Sequence, residues 1–189
     1  MEILVLDIET TGLNNRTDFI LELGMVSLNI ETGVVTKLFD KVFRPEGLTA
    51  KHREAWIFEN KFMEVEEVRK AESMEIYRDQ IQGYLTLYKD YVYAWNIDFD
   101  YGFLKFAGFD LGTKTPCPMK DSTDYFKIPK ANRTHKGYKW AKAQEAWDIL
   151  FPETPRTELH RGYDDSDMEA RIIHKLINTG QFNPFTHIE

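Results

Sequence analysis

Apolar residues run unbroken from Ile3 to Leu6 and give way to Asp7, Ile8 and Glu9. That pattern predicts a short strand covered on both faces. Residues 19–33, FILELGMVSLNIETG, alternate enough to predict a second strand turning at Glu31-Thr32-Gly33. Residues 34–45, VVTKLFDKVFRP, predict a third strand closed by Pro45, and the short Glu-Thr-Gly connection makes the pair an antiparallel hairpin. Met74, Tyr77, Ile81, Tyr84, Leu85 and Tyr88 recur at spacings of three and four, one apolar face of an amphipathic helix. YVYAWN, 91–96, predicts a fourth strand, and a helix follows through DYGFLKFAG to stop near Gly108. KWAKAQEAWDIL predicts a helix ended by Pro152. The last helix runs from about Asp165 to Ile177, with Ile172, Ile173 and Leu176 inward and Gly180 past its end. A strand meander followed by alternating strand and helix is an α/β domain with a mixed sheet.

Composition narrows the class. The 189 residues suffice for one well-buried domain, and no linker or repeat divides them, so residues 1–189 read as a single domain. Hydrophobic residues at 42% and aromatics at 14% exclude disorder as the default. No stretch has the length of a membrane span and the N-terminus has no charged-then-apolar leader. The single cysteine, Cys117 in TPCPM, excludes an internal disulfide and a cysteine-rich metal site. A cytoplasmic protein without a membrane partner is the expectation.

Net charge is −7, which argues against a general nucleic-acid coat protein but not against local contact. Tyr125 to Gln144 holds six Lys and Arg and no acid, leaving −13 on the remainder. Tyr125, Phe126, Tyr138 and Trp140 interleave with those cations. The mixture suits a phosphate backbone with stacked bases, and equally a solvated face.

Three acidic clusters carry the candidate chemistry. Asp7 and Glu9 lie two apart, so on a strand they share a face while Ile8 takes the other. Thr10-Thr11-Gly12 then lets the backbone turn away. Two carboxylates ending a buried strand are costly unless a cation joins them or both reach water. Paired acids, water and phosphate suit a hard cation. The second cluster, AWNIDFDYGFL at 94–104, sets Asp98 and Asp100 where strand hands over to helix, a place where Asp also serves as a cap. The third, ELHRGYDDSDMEARII at 158–173, sets His160 before a helix start carrying Asp164, Asp165 and Asp167, and acids there also complement the helix dipole.

In order, the motifs are Asp-x-Glu in DIETTGL (7–13), Asn-x-x-Phe-Asp in NIDFDYGFL (96–104) and His-x-x-x-x-Asp in HRGYDD (160–165). This arrangement resembles the DEDD superfamily of 3′–5′ exonucleases in its histidine-bearing branch, which includes proofreading subunits of bacterial replicases, ribonuclease T and oligoribonuclease. FILELGMV, 19–26, resembles the strand after the family's first motif, and the likeness spans nearly the whole chain. It implies a ribonuclease-H-like fold with a central five-stranded mixed sheet flanked by helices. Asn96 and Phe99 select Asp100 over Asp98, and His160 selects Asp165 over Asp164 and Asp167. Trp95 stands where family members often carry His, Gly162 and Ser166 where alanines are common, and residues 46–72 match poorly.

The resemblance implies that Asp7, Glu9, Asp100 and Asp165 hold two divalent cations, Mg²⁺ or Mn²⁺, four charges against four. Asp7 bridges the ions, Glu9 and Asp165 complete one site, and Asp100 acts on the second. His160 is the implied general base. The implied partner is the 3′ end of a single strand, cut to nucleoside 5′-monophosphates, with DNA slightly favoured over RNA and a polymerase or repair partner acting in trans. Thr10, Thr11, Gly12, Leu13, Asn96 and Phe99 are the expected contacts of the terminal nucleotide, and Lys136 and Lys139 of the backbone phosphates. Leu13 is as well explained as a core residue; Trp56 and Phe58 suit base stacking, but core packing is the expected fate of each. An RNA-trimming relative, a ribonuclease-H-like endonuclease and a catalytically silent binding module are the alternatives.

Overall fold

The computed structural model describes residues 1–131 and 137–186. Among them four strands, β1 (Glu2–Thr10), β2 (Ile20–Asn29), β3 (Val35–Val42) and β4 (Val92–Tyr93), form one sheet in the order β3-β2-β1-β4. β1 pairs antiparallel with β2 and parallel with β4, so the sheet is mixed. Ile3, Leu4, Val5 and Leu6 have no exposed surface, as a strand flanked on both edges and covered on both faces requires. The β2–β3 hairpin turns at Gly33, whose φ of +74° suits glycine, and the Asn29 side chain accepts the N–H groups of Glu31 and Thr32.

Three short helices follow: α1 (Ala50–Arg53), α2 (Trp56–Glu59) and α3 (Val65–Lys70). They enclose a small separate core in which Ala55, Ile57, Met63 and Val68 pack with Leu21 of β2. A 3₁₀ turn at Met74–Tyr77 leads into α4 (Arg78–Leu87), which buries Ile81 and Leu85. Then come α5 (Ile97–Phe106), α6 (Pro118–Asp121), α7 (Thr123–Phe126), α8 (Ala143–Leu150) and α9 (Gly162–Asn178). α9 crosses all of the hairpin and β1, burying Met168, Ile172, Ile173 and Leu176.

Two strand expectations need correction. Four strands, not five, are present among the described residues, and the fourth is two residues long rather than spanning 91–96. Past Tyr93 the chain leaves the ladder, because the Trp95 N–H donates to the Glu169 carboxylate of α9. On the outer side of β4, the Val92 carbonyl accepts the Thr115 hydroxyl at 2.5 Å. Pro116 and Pro118 lie just beyond, without the N–H groups that a fifth strand would need.

One close approach sets the geometry of the site. Gly24 of β2 lies against Gly162 at the start of α9, and a Cβ on Gly24 would fall 2.0 Å from the Gly162 carbonyl. Only two glycines allow the helix start to rest on the strand, which carries the residues just before and within the first turn of α9 to the end of β1.

Candidate active site

Asp7 and Glu9 project from one face of β1, as period-two geometry requires, with Ile8 buried behind them. The Ile8 N–H, having no ladder partner on that side, donates to Asp100 Oδ1 at 3.2 Å. That bond seats the first turn of α5 against β1 and leaves Asp100 only 4% exposed. Asp98 faces the other way and pairs with Lys114 and Lys120, which hold its carboxyl below the usual range.

Asp165, in the first turn of α9, accepts the N–H groups of Leu159 at 3.1 Å and Arg161 at 3.0 Å, bracketing His160. Arg161 reaches back to Glu22 of β2 at 2.8 Å and to Glu67 of α3 at 2.7 Å. His160 itself has a φ of +53°, a left-handed conformation that a non-glycine residue keeps only when its surroundings impose it. Its ring meets Trp56 of α2 at 4.8 Å between centroids and Phe62 at 4.3 Å. Glu9, His160 and Asp165 each offer a ligand atom within 4.8 Å of the others. Asp164 and Asp167 lie outside this group: Asp167 pairs with Arg156 and Arg171, and the Asp164 carbonyl accepts from Arg156.

Charge crowding is severe. Burial, and then Glu169 beside it, hold the Asp7 carboxyl well above the usual range. Glu9 is pushed up to about 9 by burial and then by Asp165. Burial pushes Asp100 up to about 7, and burial with Glu158 pushes Asp165 up to about 6. Among the described residues Asp7 Oδ2 is a sealed oxygen with no hydrogen-bond partner. A sealed orphan oxygen among carboxylates, with one imidazole at the edge, is a donor set that fits a hard divalent cation.

The sequence reading missed Glu169. It is 6% exposed, one helical turn beyond Asp165, and burial followed by Asp100 raises its carboxyl. Its spacing of four from Asp165 was the available signal, masked by the many acids around it.

Asp7, Asp100, His160 and Glu169 line one cleft of about 840 Å³ together with Asn96, Phe99, Leu13 and Trp56. Glu9 and residues 10–13 line an adjoining pocket of about 450 Å³ that shares Leu13, Trp56 and Phe99. Leu13 is 87% exposed and Trp56 55% exposed, so neither is a core residue; the expectation for Trp56 is corrected here. Phe58, partly buried, packs against the small core, in line with the expectation. Thr10 and Thr11 shape the turn: Thr10 Oγ1 donates to the Gly12 carbonyl, and Thr11 Oγ1 accepts the Phe19 N–H. Lys139 is engaged by Glu145 at 2.5 Å, and Lys136 lies outside the described residues. A separate apolar cleft of about 330 Å³ beside Phe19, Phe43 and Phe106 contains none of the clustered acids.

A mixed sheet whose central strand, a following helix and the last helix bring acids and one histidine to a single cleft defines a nuclease of the ribonuclease-H-like class. The family model described as RNase T exonuclease matches residues 4–173, and the chain belongs to that exonuclease family. The 3′–5′ exonuclease DinG of Bacillus subtilis (strain 168) is 25% identical over 177 residues, 92% of this chain and 17% of that protein. The chain therefore spans about one-sixth of the length of that relative. Among solved structures, the nuclease domain of 3′hExo, a DEDDh family member, superposes with a TM-score of 0.67 at 18% identity, covering 95% of this chain and 92% of that one. Cell-death related nuclease 4 (CRN-4) superposes with a TM-score of 0.65 at 15% identity, covering 95% and 64%. The fold is that of histidine-branch DEDD exonucleases. No helix among the described residues is long and apolar enough to cross a membrane.

Proposed function

We propose that this chain is a divalent-cation-dependent 3′–5′ exonuclease that shortens single-stranded nucleic acid stepwise to nucleoside 5′-monophosphates. The observation that carries the reading is the meeting of Asp7, Glu9, Asp100, His160 and Asp165 beside a pocket walled by exposed Leu13, Trp56 and half-buried Phe99. Asp7, Glu9, Asp100 and Asp165 would hold two ions, Mg²⁺ or Mn²⁺. When bound, such ions neutralise the acids and withdraw charge from the scissile phosphate and the attacking water.

The chain's own residues do the rest. Leu13, Trp56 and Phe99 hold the terminal base, and Asn96 and the Thr10–Gly12 turn border the sugar and phosphate. His160 takes the proton of the attacking water as its oxygen bonds to phosphorus. The bond from phosphorus to the 3′ oxygen of the next nucleotide breaks, and that oxygen takes a proton from solvent water and leaves as a hydroxyl. A deoxyribonucleotide strand is the first substrate, on the resemblance of the motifs to proofreading enzymes, and a polymerase or repair complex is the partner in trans. A ribonucleotide strand is the second reading, supported by two similar structures: one bound to rAMP, the other recognising a histone mRNA stem-loop.

The test is digestion of matched 5′-labelled DNA and RNA oligomers with Mg²⁺, Mn²⁺ or EDTA, alongside a circular single strand. A ladder shortening from the 3′ end with metal, and an intact circle, are expected; the faster strand names the substrate. No shortening with any metal would favour a silent binding module, and a cut circle an endonuclease.

A further inference from the structure

We infer that Trp56 is a positioning residue through which the base of the 3′-terminal nucleotide holds His160 in its working orientation. The enzyme then requires a base on the terminal sugar, and an abasic end is a poor substrate. This rests on the exonuclease reading above and adds to it a specificity rule and a residue from a segment that the family motifs do not reach.

Three observations set Trp56 between His160 and the pocket that would take the base. Its indole, 55% exposed, walls the pocket that also holds Leu13 and Phe99, where a flat base has apolar faces to stack on. The same indole meets the His160 ring edge-on, at 4.8 Å and 88°. Phe62 completes a three-ring group, 5.0 Å from Trp56 and 4.3 Å from His160. The fixation of His160 is also divided in kind. Its backbone is set by Asp165 and, through Arg161, by Glu22 and Glu67. Its ring, which must point at the attacking water, rests against Trp56 and Phe62.

An exposed tryptophan samples several side-chain rotamers until a base covers it. Stacking selects the rotamers that keep the indole between base and imidazole, and so selects the ring angle of His160. A residue that only bound the base would alter KM, whereas Trp56 alters kcat.

The experiment follows the Cε1–H signal of His160 in histidine-labelled protein with Mg²⁺, assigned by its loss in His160→Gln. Adding dAMP is expected to shift it, whereas deoxyribose 5-phosphate is not; Trp56→Ala abolishes the response and Trp56→Phe retains it. In turnover, wild type should cut a normal 3′ end with a kcat about tenfold above that of an abasic end, and Trp56→Ala should erase that ratio while Trp56→Phe restores most of it. Equal shifts with dAMP and the sugar phosphate, a silent signal with millimolar dAMP, or a Trp56→Ala defect confined to KM would each overturn the inference. The spectroscopic arm needs no hydrolysis, so inactive wild-type protein would refute the exonuclease reading separately.

Discussion

The two halves of the site are held by different physics. Asp7 and Glu9 stand on a strand whose backbone is paired with Gly24 and Glu22 of β2, and the Ile8 N–H between them anchors Asp100. His160 stands on no regular element. It holds a left-handed backbone between two N–H groups that share one carboxylate, with its ring against two aromatic side chains. The half that gathers charge is therefore fixed by the sheet. The half that carries His160, the base of the proposed function, is fixed by side chains, and changes outside the cleft should reach it first.

The largest expected effect is on the fixed half. Asp7→Asn should lower kcat on the order of a thousandfold, because it removes charge where several kcal/mol of metal assistance is organised. His160→Ala should cost about a hundredfold while divalent-cation binding persists. Wild-type turnover in His160→Ala would remove it as the base. Next comes the tether of the adjustable half. Arg161→Ala strands Glu22, 2% exposed, without its cation. The pair is partly solvated on the arginine side, so we expect about 2 kcal/mol of destabilisation in urea unfolding, with a lower kcat. An unchanged kcat would show that Arg161 holds the fold and not the histidine.

The pH dependence separates the halves further. Asp165, Asp100 and Glu9 have folded values of about 6, 7 and 9, all above ordinary carboxyl values. Between the unfolded and folded values the folded state binds more protons, so metal-free stability is full at acid pH and falls as pH rises through this range. Thermal unfolding without metal should show Tm dropping from pH 5 to pH 8. Mg²⁺ should raise Tm more at pH 8, where Asp165 and Asp100 have given up the protons that compete with the ions at pH 5. A metal-free Tm that rises across that window would contradict the charge crowding. The smallest effect is expected from Lys139→Ala. With Glu145 already occupying its ammonium, KM should rise only about twofold, and the salt dependence should fall by about one counterion.

The legible features were those with local causes. Period-two spacing put Asp7 and Glu9 on one face, the unbroken Ile3–Leu6 run announced the central strand, and Glu-Thr-Gly announced the hairpin. Asp98 and Asp100 could not be separated by local pattern, since both sit where a cap is useful; the lysines that engage Asp98 come from 16 and 22 residues away. Two features depended on tertiary neighbours. β4 ends early because Glu169 takes the Trp95 N–H, and a fifth strand fails where Thr115 and two prolines replace ladder donors. Trp56 is exposed where core packing was the expectation, and Ile57, Phe58 and Met63 beside it follow no helical or strand period; Leu13, for which a base contact and a core position were equally open, is exposed as well. Within residues 46–72, Trp56 and Phe62 join the site only through the tertiary contact of their rings with His160.

The proposed exonuclease chemistry requires the acid face of β1 to hold the divalent cations. Isothermal titration of the metal-free protein with Mn²⁺ in the presence of dAMP tests it most directly. Two bound ions in the wild type, loss of at least one in Asp7→Asn and retention of both in His160→Ala are predicted. Mn²⁺ binding that Asp7→Asn leaves unchanged would contradict it.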